Sequence, residues 1–232
     1  MGVKISLMEH IEELRSMVLR IVCCLFLLTL LAYPLSQEMV VWLEDELLGD
    51  YAGIVIVTNP FQAVMARIHV SMLFAMIVCF PYISGEAFRF ISKGLTSKEN
   101  RLLAGVILSS TILFCMGVLL SIKVLLPFTL SFLVAYTQPM ARPFMVLTDL
   151  IDLFVMSSVL TGLIFEWPLI AYLLARLGLV DAGVLARGRR HAVISCLMIS
   201  AVITDPTFIT QLILAVPMLL LYEIGIIAAR LA

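Results

Sequence analysis

From Met17 to Ala229 the chain is a succession of apolar runs, most of them long enough to cross a hydrocarbon core, separated by short polar stretches. A helix needs about 20 apolar residues to span about 30 Å. Inside a bilayer every backbone N–H and C=O must be satisfied without water, which leaves only helices or a closed barrel. The runs here are continuous rather than alternating in segments of about ten residues, so a barrel is excluded. A soluble chain is about 45–50% apolar with about 25% charge. This one is 62% hydrophobic and 13% charged, with a mean hydropathy of +1.13. The expectation is an all-α polytopic membrane protein, one bundle of six transmembrane helices over residues 1–232.

In chain order, residues 1–16 read as an amphipathic helix. Ser6 and Glu9 form a capping box, and Ile5, Met8, Ile11 and Leu14 share a face that could rest on the membrane or pack beneath the bundle. The polar length of this start and the lack of a small-residue cleavage site argue against a removable signal peptide. Spans are expected near 17–36, 61–90, 102–132, 150–177, 192–204 and 208–229. Between the first two, Met39, Val40, Leu43 and Leu47 recur at helical spacing beside Trp42, predicting a short interfacial helix stopped by Gly49 and Gly53. Pro81 interrupts the second span and Pro127 bends the far end of the third. Thr148 and Asp149 cap the fourth. Gly178 to His191 is expected to be a basic loop. The fifth run is short, about 20 Å of helix, so it borrows flanking residues or sits where the bilayer is thin. Cys23, Cys24, Cys79, Cys115 and Cys196 all lie in apolar runs without ligand spacing and are expected to be reduced, buried, small apolar residues.

Six spans place both termini on one side. Twelve of the fifteen Lys and Arg residues fall on that side, leaving Arg67, Lys123 and Arg142 for the other. By the positive-inside rule both termini face the cytoplasm. So does the loop Phe88–Arg101, which carries Arg89, Lys93, Lys98 and Arg101 around a single acid, Glu99.

Few residues could carry chemistry. Glu166 lies roughly 25 Å from one end of its span and 15 Å from the other, at a depth where a carboxylate must be protonated, paired or hydrated. Glu86 and Glu223 are shallower and could snorkel to the interface. His10, His69 and His191 lie on separate segments, so no metal site is expected, and no cofactor. The chain shows no HExxH, GxSxG, Walker A or GxGxxG pattern, so an enzyme is not expected. Topology accounts for the bases, so nucleic acid is not expected as a partner. Glu13 and Glu99 each adjoin an arginine, Arg15 and Arg101. They are read either as local ion pairs, worth little in water, or as a site for a cationic ligand.

Taken together, these patterns resemble the TatC family, integral receptor subunits of the twin-arginine protein translocase. His10-Ile-Glu-Glu13-Leu14-Arg15 is similar to the family's HLxELR. Pro81 and the FRFISKGLTSKENR stretch resemble its second helix and the loop after it. Glu166-Trp167-Pro168 matches its F-E-x-P, and Gln211, Pro217 and Glu223-Ile-Gly225 match its last helix. The resemblance implies a concave, cup-like six-helix bundle in the bacterial cytoplasmic membrane that is driven by the proton-motive force. The ligands it implies are twin-arginine signal peptides of folded cargo. It also implies single-span TatA- and TatB-type partner subunits and self-association in the complex.

Carried over, Glu99 accepts the arginine pair, helped by Glu13, with Arg15 and Arg101 holding the carboxylates and Phe90 and Leu95 shaping the surface. Guanidinium groups form forked bonds to carboxylates that lysine cannot reproduce. Glu166, Thr204 and Gln211 would form an intramembrane polar site for the partner subunits. This chain departs from the family at Lys93, where proline is usual, at Asn100, where a base is common, at Glu86, where glutamine is usual, and at Thr207, which follows Asp205-Pro206 in place of an aspartate. The alternative function class is a proton- or cation-coupled secondary transporter with Glu166 as its ion site. Such transporters carry an internal repeat with matching broken helices, and no repeat is seen. A structural scaffold for other membrane proteins is the third reading.

Overall fold

The computed structural model describes residues 7–48, 55–92, 100–137, 144–176, 178–203 and 208–230. The expectations placed on Ser6, Gly49, Gly53, Lys93, Leu95, Glu99, Arg142, Thr204, Asp205, Pro206 and Thr207 therefore lie outside the described residues, as do the side chains of His10 and Arg101.

The described chain is all-α apart from one two-residue strand pair. Helix α1 (Leu7–Ala32) leads through a 3₁₀ turn (Tyr33–Leu35) into α2 (Ser36–Leu48). The amphipathic segment and the first span are thus one helix, not two. No Gly or Pro occurs between Leu7 and Ala32, and nothing there stops helix propagation. Pro34 ends it instead. Arg67 of α3 (Pro60–Ser92) braces the bend: its Nε donates to Ser36 Oγ (3.0 Å) and its guanidinium lies 4.7 Å from the centre of the Tyr33 ring. Helix α2 then turns Val40, Leu43 and Leu47 into the core and leaves Trp42 exposed, the two faces read from its spacing. Ile11 and Leu14 are exposed, so these two residues of the N-terminal apolar face do not pack beneath the described bundle; Ile5 and the Met8 side chain lie outside the described residues.

Helix α3 runs through Pro81 without ending, so the expected interruption is absent. The third long helix is α4 (Asn100–Leu120), a five-residue π turn (Ser121–Leu125) and α5 (Leu126–Thr137). A proline ring collides with the carbonyl four residues before it. For Pro127 that residue is Lys123, at the centre of the widened turn, so the bend takes the form of a π turn. Strand β1 (Val55–Ile56) pairs in parallel with β2 (Met145–Val146) and ties two loops together at this end of the molecule.

The fourth span is two helices, α6 (Leu147–Phe165) and α7 (Trp167–Arg176), broken at Glu166. Helix α6 begins one residue before the expected cap, with Val146 at its N-cap and no side-chain cap bond. Within the expected basic loop a short helix, α8 (Ala182–Arg187), forms ahead of α9 (Arg189–Ile203). Helix α10 (Phe208–Arg230) closes the chain, uninterrupted by Pro217. Among the described residues five helical stretches are long and apolar enough to cross a membrane; α9 is not one of them. All five cysteines are free, and Cys79 and Cys196 are buried, but Cys23 is exposed rather than buried as expected.

Helix α3 sits between α1 and the α4–α6 pair, and α10 packs on α7 and α9. Helices α4 and α6 cross closely at Gly117 and Gly162, where two small residues let backbones meet. Phe114 fills the space beside Gly162 and stacks on Phe80 of α3 at 3.7 Å, joining three helices at one point.

Candidate functional site: an intramembrane carboxylate and a charged helix end

Glu166 occupies the break between α6 and α7. Pro168 lacks an N–H and clashes with a straight helix through residue 164. The chain answers by tightening: Glu166 N–H donates to the Leu163 carbonyl (3.2 Å) and the Glu166 carbonyl accepts from Leu169 and Ile170 (3.1 and 3.0 Å). The side chain is 8% exposed. Its Oε2 accepts a hydrogen bond from Ser110 Oγ of α4 at 3.0 Å. Its Oε1 is buried and has no hydrogen-bond partner among the described residues, and neither has Thr161 Oγ1 one turn earlier. A buried carboxylate with half its bonding capacity unfilled is costly. That cost falls when a proton or a donor from another molecule reaches Oε1.

The structure does not bring Gln211 to Glu166. Gln211 Nε2 donates to the Leu197 carbonyl at 2.8 Å, fastening α10 to α9. Trp167, next to Glu166, stacks on Tyr222 of α10 (5.8 Å), eleven residues from Gln211 and so about 17 Å further along the helix. Glu166 and Gln211 are two separate polar points at different depths.

At the other candidate site Glu13 is half-buried on α1, Arg15 is exposed, and Phe90 is half-buried near the end of α3. Arg15, with Glu12, Ser16 and Arg20, lines a surface hollow of about 460 Å³. Beneath it lies a cluster that sequence reasoning missed. Glu86, 8% exposed, is shared by Arg20 of α1 (2.6 Å) and Arg89 (3.5 Å). It does not snorkel. The sequence shows an acid and two bases, but Arg20 and Glu86 are 66 residues apart and only the α1–α3 packing makes them a pair. Glu223 is likewise fixed by a forked pair of bonds from Arg189 (2.7 and 2.9 Å), and the carboxylate raises the Arg189 guanidinium above its ordinary range. Three further contacts were not foreseen: Ser110 on Glu166, His69 on Asp152 (2.5 Å) and Lys123 on Glu46 (2.5 Å). Ser110 had a signal, a Ser-Ser-Thr run inside a span, where small hydroxyl residues mark helix contacts.

Fold and site define a class: a multi-pass helical membrane protein whose distinctive groups are a carboxylate at membrane depth and an acid-and-arginine cluster at one end of the bundle. Comparison with known proteins narrows it. The model of the family described as Sec-independent protein translocase protein (TatC) matches residues 9–217. The chain is 30% identical to the Sec-independent protein translocase protein TatC of Aquifex aeolicus, over 97% of this chain and 95% of that protein. It is 28% identical to TatCy of Bacillus subtilis, over 99% and 90%. A crystal structure of the twin arginine translocase receptor TatC superposes with a TM-score of 0.84 at 29% identity, covering 96% of this chain and 99% of that one. The chain belongs to the TatC family.

Proposed function

We propose that this protein is the receptor subunit of a Sec-independent protein translocase that binds twin-arginine signal peptides of folded cargo at the bundle end formed by Glu13 and the 88–101 loop. The observation that carries this reading is the match to a twin arginine translocase receptor along almost the whole of both chains. In this reading the chain crosses the bacterial cytoplasmic membrane six times, α9 being the short fifth span, with both termini in the cytoplasm. Glu99 is the principal acceptor of the arginine pair, helped by Glu13, with Arg15, Arg101, Phe90 and Leu95 around it. The protein performs no covalent chemistry of its own; the proton-motive force acts through the assembled complex. Glu166 serves the single-span TatA- and TatB-type partners, as do Thr204 and Gln211 at their own level. The unfilled Oε1 of Glu166 supports that role, because a hydroxyl or amide from a partner helix would complete its bonding.

The reading is tested by capture of a twin-arginine signal peptide by the protein in membranes. A peptide with two lysines instead is expected to be retained about tenfold less, since an ammonium cannot make the forked bond. No capture of either peptide would overturn the receptor assignment. Glu166→Ala is expected to lower co-purification of a single-span partner several-fold and leave peptide capture unchanged. Lost capture with normal partner assembly would reverse that division of labour.

A further inference from the structure

A groove of about 560 Å³ opens between the end of α6, α7, the α8–α9 segment and α10. Its walls include Leu163, Ile164, Ile170, Ile199 and Met218. Of the polar groups around it, Tyr222 donates its hydroxyl to the Leu185 carbonyl (2.7 Å), while the Trp167 indole N–H is buried toward Gly225 of α10 without a hydrogen-bond partner among the described residues. The walls also hold the Ser195 hydroxyl and are otherwise mainly hydrocarbon.

One end of the groove differs. Leu185, Gly188 and His191 close it, and the same turns carry Arg187, Arg189 and Arg190. Arg189 is committed to Glu223. Arg187 and Arg190 are exposed; Arg187 donates through Nε to the Gly183 carbonyl (3.2 Å), which leaves its terminal nitrogens for another acceptor. The other nearby acid, Asp181, stands at the N-cap position at the opposite end of α8, without a side-chain cap bond.

We propose that this groove is a binding site for one anionic phospholipid, with an acyl chain along α9 and the phosphate at Arg187, Arg190 and His191. Between His191 and Ile199 the groove follows α9 for about 12 Å, and its mainly apolar walls match an acyl chain. Charge selects the headgroup: basic pockets between spans take anionic lipid heads, and each nearby Lys or Arg adds to the attraction.

The test uses the purified full chain in detergent, titrated with phosphatidylglycerol or with zwitterionic phosphatidylcholine of the same acyl chains, with retained lipid counted by native mass spectrometry. Phosphatidylglycerol is expected to bind about tenfold more tightly. The double variant Arg187→Gln/Arg190→Gln, altered only at exposed positions, is expected to retain the two lipids equally. Ala192→Trp, which fills the groove, is expected to lose both. Equal retention of the two lipids by the parent chain, or an unaltered preference in the double variant, overturns the proposal. Full displacement by glycerol phosphate overturns it in favour of a free-phosphate site. If Ala192→Trp keeps its lipid but sheds a co-purifying single-span protein, the groove belongs to a helix.

Discussion

Glu99→Gln is expected to lower the affinity for a twin-arginine signal peptide by roughly 30-fold. The amide keeps the shape of the carboxylate but loses its charge and one of the two acceptors a guanidinium fork requires. A hydrogen bond to a charged group contributes about 1.5–3 kcal/mol, and about 2 kcal/mol corresponds to that factor. The surroundings sharpen the effect. Arg89, Lys93, Lys98 and Arg101 flank Glu99 in the chain, so removing its charge leaves that stretch with four bases and no acid. Glu13→Gln is expected to have a smaller effect, in keeping with an assisting role. Glu99→Asp, which keeps the charge, is expected to recover most of the binding. Affinity is expected to fall as salt is raised for the parent chain, with a shallower fall for Glu99→Gln. Isothermal titration or fluorescence anisotropy with a labelled peptide measures this, and undiminished affinity in Glu99→Gln would remove the residue from the site.

The helical bundle was legible because it rests on a one-dimensional signal, the length of apolar runs. So was Glu166, since a lone carboxylate in such a run has nowhere to hide. Pro168, two residues on, even marks the break that holds it. What the sequence concealed was pairing between distant segments. Glu86 and Glu223 read as shallow acids free to reach water, yet each is held by an arginine on another helix, Arg20 on α1 and Arg189 on α9. The resemblance implied one site for Gln211 and Glu166, and the register of α10 on α7 separates them. Prolines were ambiguous in the same way. Pro34 ends a helix, Pro127 is absorbed by a π turn, and Pro81 and Pro217 pass within continuous helices. The outcome depends on whether neighbouring turns and helices accommodate the freed carbonyl, which local sequence does not encode. The short α8 was hidden by composition, its six residues lying in a basic stretch with the look of a loop.

The glycine crossing between α4 and α6 was equally invisible, and Gly117→Val is expected to destabilise the protein by about 1–3 kcal/mol. A Cβ at Gly117 would stand 2.7 Å from both the Gly162 Cα and the Thr161 carbonyl oxygen. Those are backbone atoms of a buried helix, so no rotamer change relieves the contact and the two helices must separate. Ser110 lies two turns from Gly117 on α4, and Glu166 one turn beyond Gly162. Parting the helices therefore stretches the 3.0 Å Ser110–Glu166 hydrogen bond and exposes a carboxylate that depends on it. Two readouts follow: a lower midpoint of thermal unfolding in detergent, and weaker recruitment of the single-span partner, resembling Glu166→Ala although Gly117 carries no polar group. Gly105→Ala is the control. A Cβ there meets nothing within 4 Å, and alanine is the better helix former by about 1 kcal/mol, so that variant holds or gains stability with partner recruitment intact. A Gly117→Val protein as stable as its parent would mean the helices do not cross this closely. A destabilised one with normal recruitment would mean that the Ser110 bond does not set the working position of Glu166.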